Sequence, residues 1–596
     1  MAEPRFALSR AHRTAALGAL TAGAVVAVGP LLLDTYMTNI LIRALFLAAV
    51  VMTVDVLWGY TGVLTFGQSA FFGVGAYACA LVFTHYGFGA DWGLLALALG
   101  IGAAMTIALL TGWLAFFHGA SPLYGSIITL ALPIVLTQAI FSGGRFTGSS
   151  SGLSGFPTWY WPVEVYFWIA GGLLVAVTTL GWLLVRSDFG RVLVAIRENE
   201  ERCAYLGVPV SRIKIALMMA AAAVAAAAGF GYAAFTNVVA PELAGFLLGT
   251  EFLIYTALGG RGTLLGPVLA GVGIDVTASW LSGQLPFLWK LMTGVAFIVV
   301  IVLLPRGLAP VFMALGRLIP GGPPEPPAAL VAAPRRAGPG AETAAPPLRI
   351  EALTRSYGSL QVLKGVTMTG HASELLSVVG PNGAGKTTLM RCVSDGAERS
   401  GGTVEINGVA LGRGAPQRAT AMGVGRSFQN TSLFDSLTVA ECLQLARMRV
   451  DGARLFHRRD EIRLPEPARD ILRATGLDQK LAEETRNLSH GMKRGLELAM
   501  VLATEPSVLL LDEPTAGLTK AERGAIGAVL TRLTREFGLC IVLIEHDLDF
   551  VREISDRVVV LHQGAILMEG AVEEVVASDL VKAVYAGHGA DRGAAA

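Results

Sequence analysis

The sequence predicts two fold classes in series: an α-helical polytopic membrane domain of about ten spans, then a soluble α/β domain. Three observations predict this. Only 15% of the 596 residues are charged and 53% are hydrophobic, far below the roughly 25% charged that soluble domains carry. The depletion lies almost wholly before residue 316 and is gathered into stretches of membrane-spanning length. After Leu348 the charge density is ordinary, and short β-branched or leucine runs alternate with helical patterns.

The apolar stretches lie near 14–33, 37–58, 63–83, 92–117, 121–141, 165–185, 215–236, 243–259, 264–283 and 288–304. The first has a basic flank like a signal peptide, but no small-residue cleavage site stands out and further apolar segments follow at once, so it reads as a first membrane helix. An even count with both ends inside places Arg5, Arg10, Arg13, Arg261, Arg306 and the basic loop 186–214 on the cytoplasmic side, as the excess of Lys and Arg on inner loops requires. The loop "SGGRFTGSSSGLSGFP", with Arg145 alone, then falls outside. The inner loops near 60 and 119 carry no Lys or Arg and test nothing.

Arg43, Asp55, Glu251 and Asp275 sit within apolar spans. Charges there usually face a bundle interior or a water-filled path; the plainer alternative is that some snorkel from helix ends. The glycines of "GYTGVLTFGQSAFFGVGAY" suit close helix approach or a broken helix. In the loop 186–214, Arg197 to Leu206 suits a short charged helix before the break at Gly207–Pro209, placed where a soluble engine can push on the membrane part. An ordinary basic anchor loop is the alternative.

Between the halves runs "IPGGPPEPPAALVAAPRRAGPGAETAAPPL", with nine prolines in thirty residues. Proline keeps such a segment extended, at about 3.1 Å per residue. The boundaries read as a membrane domain at 1–316, a Pro/Ala/Gly-rich linker at 317–347 and an α/β domain at 348–590. A net charge of +1 with no dominant basic face or patch gives no hint of nucleic-acid binding, and no nucleic-acid partner is expected. Cys79, Cys203, Cys392, Cys442 and Cys540 are scattered without a CxxC pair, which argues against a disulfide framework and a zinc site and fits a reducing cytoplasm for the soluble half.

In the soluble half, "LLSVVGPNGAGKTTL" sets an apolar strand, Leu375–Val379, before a GxxxxGKT run. That run is a phosphate-binding loop. Gly380, Gly383 and Gly385 let backbone N–H groups turn toward phosphates that also meet a helix N-terminus. Pro381, Asn382, Ala384 and Thr388 complete the loop; Lys386 reaches the β- and γ-phosphates of ATP and Thr387 is placed to ligate Mg²⁺. "VLLLDEP" is an apolar strand ending in two acids, with Asp512 suited to the metal and Glu513 to polarising the attacking water. Alone, two adjacent acids are commonly a solvated strand end; behind a phosphate loop they indicate hydrolysis.

"RSYGS" with Tyr357, "RSFQ" with Gln429, "NLSHGMKRGLELA" and "LIEHD" with His546 follow in an order that resembles the ATP-binding-cassette family, from Leu348 to about Gly587. The resemblance implies an α/β P-loop ABC ATPase whose two copies close head to tail. It implies that Tyr357 stacks on adenine, that Gln429 senses the γ-phosphate, the metal and the membrane domain, and that His546 contacts the γ-phosphate. It also implies that Ser489 and Gly491 close over the partner's nucleotide. Two departures stand out. His490 and Met492 interrupt the usual LSGGQ in "LSHGM", and Thr519 replaces the usual aspartate in "TAGLT"; importers of amino acids and amides are similar in tolerating such changes.

In the membrane half, "GYTGVLTFGQSAFFGVGAY", "GLSGFP", "FGRVLVAIRENEERCAYLGVPVSRIKI" and "ALGGRGTLLGPVLAG" resemble the permease of branched-chain amino-acid importers, over most of 37–310. The urea importer permease is a close relative, and in the cassette "LSHG", "EHDLDFV" and "VLHQGAILMEG" look nearer to that type. The resemblance implies a bacterial inner-membrane ATPase-coupled importer subunit, with the two parts fused and the linker as a tether. Its implied partners are a second permease–cassette half, a periplasmic binding protein and membrane lipid. Branched-chain amino acids are the expected solute, with urea or short amides as the alternative. An exporter half is disfavoured because exporter halves typically have six long spans.

Overall fold

The computed structural model describes residues 10–117, 122–285, 287–303, 307–308, 328–334, 345–516 and 520–590. Arg5, Arg306, Thr519, the loop near 119 and most of the linker lie outside them. Two compact units form: Met1–Arg197 with Val210–Pro324 and Leu455–Arg458, and Glu198–Pro209 with Glu325–Arg454 and Arg459–Ala596.

From Arg10 to Leu303 the chain runs through twelve described helices: α1 (Arg10–Leu32), α2 (Thr35–Asp55), α3 (Gln68–His85), α4 (Ala90–Phe116), α5 (Pro122–Ser142), α6 (Val163–Val185), α7 (Asp188–Glu198), α8 (Glu200–Tyr205), α9 (Val210–Thr236), α10 (Phe246–Gly259), α11 (Leu265–Gln284) and α12 (Trp289–Leu303). Each of the ten apolar stretches contains a helix. Among the described residues seven helices are long and apolar enough to cross a membrane; α3, α10 and α12 fall outside that set. α3, of 18 residues, starts late. After α2 the chain widens into a π-helical turn over Val56–Tyr60, loses regular structure from Gly62 to Gly67 and re-enters a helix only at Gln68.

The core of this unit is built from α2, α3, α9 and α10, around Phe46, Phe71, Phe72, Met218 and Phe252. Small residues let these helices touch. A Cβ on Gly75 of α3 would lie 2.0 Å from the Ala226 carbonyl of α9, and one on Gly229 would lie 2.0 Å from the Phe72 carbonyl. Leu94, Leu110, Ile134 and Val135 remain exposed on α4 and α5, as expected of helices that meet hydrocarbon.

The second unit carries a six-stranded sheet. Its order is Ala565–Gly570, Arg557–His562, Leu375–Val379, Cys540–Ile544, Val508–Asp512, Val424–Arg426, parallel except for the first, antiparallel strand. Every residue of Leu375–Val379, Val508–Asp512 and Cys540–Ile544 is buried, which is why these strands read as continuous apolar runs and not as alternations. A four-stranded antiparallel sheet, in the order Leu360–Gly370, Leu348–Tyr357, Gly401–Ile406, Val409–Ala410, shares a core with it.

The linker is not a featureless tether throughout. Ala329–Ala332 forms a strand parallel to Glu461–Leu464, continued by Ala329 N–H to Asp460 (2.8 Å) and Ala333 N–H to Leu464 (2.8 Å). The run "AALVAA" between Pro327 and Pro334 has backbone donors that no proline blocks, and Val331 is its β-branched residue.

Candidate nucleotide site

Strand Leu375–Val379 delivers the chain to the phosphate loop, and the loop to helix Lys386–Ser394. Gly380 has φ 151°, and a Cβ there would lie 2.1 Å from the Leu561 carbonyl; Gly383 and Gly385 have φ 80° and 100°. The loop closes on itself with Ala384 N–H to Pro381 (3.2 Å) and is pinned by Gly564 N–H to Ala384 (3.0 Å). Asn382 is exposed in the turn and Thr388 lies in the first turn of the helix. Lys386 Nζ donates to the Gly380 (2.7 Å) and Pro381 (3.0 Å) carbonyls. Partial burial holds the Lys386 ammonium below its usual range, opposed by Glu513 and Asp512.

The two acids close the other side. Burial raises the Asp512 carboxyl above the ordinary carboxylate range, opposed by Arg426 and by a hydrogen bond from Thr387. Its Oδ1 is buried with no hydrogen-bond partner. A hydroxyl bonded to a buried carboxylate with a spare oxygen is a donor set that fits a hard divalent cation. Glu513, at φ 49°, accepts from Gln429 Nε2 (3.0 Å) and meets His546 Nε2 at 2.7 Å. Thr387, Gln429 and Asp512 line one cleft of about 450 Å³ with Arg391, Arg426 and Lys493.

Tyr357 is about half exposed, with the Arg355 guanidinium 4.2 Å from its ring centre. Ser489 is exposed and caps helix His490–Ala503, its hydroxyl accepting from Met492 N–H at 3.4 Å.

Sequence reasoning missed the residues that hold this arrangement. Arg494 is buried and donates to the carbonyls of Asp512 (3.0 Å), Glu513 (2.7 Å), Gln429 (3.3 Å) and Phe428, and to Glu497 Oε2 (3.3 Å). Glu497 Oε1 in turn accepts from Phe428 N–H (3.0 Å) and lies 3.6 Å from Arg202 of α8. Arg202 also donates to the Arg426 carbonyl at 3.1 Å. Burial pushes the Glu497 carboxyl up and the Arg202 guanidinium down, each opposed by the other's charge. The signal was present: in "KRGLELAM", Glu497 falls between Leu496 and Leu498 in the buried stretch of the helix.

Segment Glu198–Pro209 folds with this unit through further contacts. Asn199 Nδ2 donates to Ser432 Oγ (2.7 Å), Thr420 Oγ1 to the Tyr205 carbonyl (3.0 Å) and Arg426 to the Tyr205 hydroxyl (3.0 Å). The short helix expected over Arg197–Leu206 is α8, Glu200–Tyr205, preceded by α7.

Two family models match. Residues 36–303 match the permease component of the branched-chain amino acid transport system, and residues 363–516 match the ABC transporter family. The high-affinity branched-chain amino acid transport ATP-binding protein BraF of Pseudomonas aeruginosa is 36% identical over 40% of this chain and 97% of its own length. LivG of Escherichia coli K12, with the same description, is 34% identical over 39% of this chain and 93% of its own. The D-allose import ATP-binding protein AlsA of Escherichia coli K12 is 34% identical over 40% of this chain and 47% of its own. A membrane-embedded permease and a cytoplasmic cassette that couples ATP hydrolysis to transport thus occupy one polypeptide, and the chain belongs to the ABC transporters of the branched-chain amino-acid type, as a fused permease–ATPase.

Proposed function

We propose that this chain is one permease–cassette half of an inner-membrane importer of branched-chain amino acids, fed by an extracytoplasmic binding protein and completed by a second half. The observation that carries the reading is the joint match of permease and cassette to branched-chain systems, each over nearly its full module.

ATP is held by the Gly380–Thr388 backbone, with Lys386 released from the loop carbonyls to the phosphates and adenine on the exposed part of Tyr357. Thr387 and Asp512 would hold Mg²⁺, which would supply neutralisation of phosphate charge. Glu513 takes the proton of the attacking water, held by Gln429 and His546 and by the Arg494 grip on its backbone. Ser489, exposed at the cap of its helix, and Gly491 in the first turn serve the nucleotide of the second cassette. Closure of the cassettes moves segment Glu198–Pro209, and with it α7 and α9 on either side in the chain, so that the permease opens alternately to each face.

A second reading, import of urea or short amides by the same machinery, is favoured by "LSHG", "EHDLDFV" and "VLHQGAILMEG". The test is uptake of labelled leucine and of labelled urea by cells lacking this gene, complemented with wild type or Lys386→Ala. Leucine uptake restored by wild type alone supports the branched-chain reading. Urea uptake restored in its place moves the solute to amides, and restoration of neither contradicts import.

A further inference from the structure

Arg43, Asp55, Glu251 and Asp275, the charges noted within the apolar spans, fall into two groups. Asp55 is an anchor: its carboxylate accepts from Gly262 N–H (2.5 Å) and Leu264 N–H (2.9 Å), beside the Tyr60 hydroxyl on the Gly262 carbonyl (2.7 Å) and Arg197 on the Gly59 carbonyl (2.5 Å). Its bonds are made within the fold and leave little for a ligand.

Arg43 and Asp275 are different. Arg43 on α2 and Asp275 on α11 are 3.4 Å apart, and side-chain exposure is 51% for Arg43 and 4% for Asp275. Asp275 Oδ2 is buried with no hydrogen-bond partner. Tyr232 of α9 and Tyr255 and Glu251 of α10 interact electrostatically with Arg43, and both tyrosines also with Asp275. Four helices thus converge on one pair of opposite charges.

Depth decides what this pair faces. Arg43 lies eight residues beyond Thr35, about 12 Å along α2 at about 1.5 Å per residue, well inside a hydrocarbon layer about 30 Å thick. A half-exposed guanidinium is costly against lipid at that depth and belongs on a protein-lined or watered path. Exposed Tyr36 and Asn39 continue the same face of α2 toward its start.

We infer that Arg43 and Asp275 form a receiving site for a zwitterionic solute on the translocation path, Arg43 taking the α-carboxylate and Asp275 the α-ammonium. The inference rests on the amino-acid reading above and adds the residues that execute it. A guanidinium fork matches a carboxylate with two hydrogen bonds, and the spare Oδ2 accepts from an ammonium. Opening one ion pair to form two leaves no buried charge alone, which is the condition for the exchange to be affordable in low dielectric. A neutral amide such as urea offers neither charge and would leave the pair closed. The site therefore separates the two solute classes that the cassette motifs do not.

The test uses the complete complex, with its second half and binding protein, in proteoliposomes. Arg43→Met with Asp275→Leu together remove the pair without stranding a charge. The expected result is a loss of labelled-leucine uptake of roughly tenfold or more with basal ATP turnover within about twofold of wild type. Unchanged leucine uptake would overturn the site and make the pair a helix clamp. If the double variant fails to assemble, Arg43→Lys decides, because it keeps the charge and loses the fork: a rise of about fivefold or more in half-saturating leucine supports the site, and an unchanged value overturns it. A wild-type complex that imports urea and not leucine defeats the amino-acid reading, and the site with it, before any variant is compared.

Discussion

Arg202 and Glu497 form an ion pair that is sealed from solvent on both sides, 3.6 Å apart, with 0% side-chain exposure for each. Arg202 comes from a six-residue helix embedded in the sequence of the permease, and Glu497 from the helix that follows the signature segment. Glu497 also holds Arg494, and Arg494 holds the backbone carbonyls of Asp512 and Glu513. A short chain of charge-assisted bonds therefore runs from Arg202 to the backbone of Asp512 and Glu513.

Breaking that pair from one side leaves a buried charge without its partner. Arg202→Ala is expected to destabilise the cassette by about 3–5 kcal/mol, seen as a lowered unfolding midpoint of the whole protein in detergent. Arg202→Met with Glu497→Leu should recover most of that stability. If the bond chain carries coupling, the double variant still spends more ATP per solute moved than wild type.

Glu513→Gln should keep ATP binding while turnover in the complete complex falls by about a hundredfold or more, the usual weight of a positioned general base. Equilibrium binding of labelled ATP and phosphate release measure the two effects separately. Normal turnover would remove Glu513 from the role of base.

Gly380→Ala should abolish nucleotide binding. The new Cβ would stand 2.1 Å from the Leu561 carbonyl at a φ of 151°, which side chains other than glycine's rarely adopt. Gly358→Ala, where a Cβ meets nothing within 4 Å but φ is 60°, should cost only the backbone strain of about 1 kcal/mol and leave binding measurable.

The cassette thiols should resist alkylation. Burial pushes Cys392 up to about 11 and Cys442 and Cys540 up to about 12. A raised thiol value means that the protonated form persists as pH rises, so at about pH 8 roughly one Cys392 in a thousand is thiolate. Iodoacetamide labelling should be slow in the native protein and fast after denaturation; rapid native labelling would contradict the packing around these residues.

The cassette was the more legible half. Strands Leu375–Val379 and Val508–Asp512 stand where their apolar runs end at a glycine or an acid, and Lys386, Thr387, Asp512, Glu513, Gln429 and His546 gather around one cleft and its rim. What the sequence did not reveal were residues whose function lies in long-range bonds. Arg494 and Arg202 look like ordinary surface charges until the fold closes over them. The linker strand was hidden for a different reason: four residues of "AALVAA" gain order only from a partner edge at Glu461–Leu464. In the membrane half the apolar count located ten helices, but not that the segment before α3 abandons helical structure at Gly62–Gly67, since glycine permits both a close contact and a break.

The most direct test of the account is accumulation of labelled leucine in proteoliposomes holding the complete complex, its binding protein and internal or external ATP. Leucine should accumulate against its gradient only when ATP reaches the cassette face, with wild type and not with Glu513→Gln. Equal accumulation by both proteins, or accumulation without ATP, would contradict the claim that Glu513-dependent hydrolysis drives import.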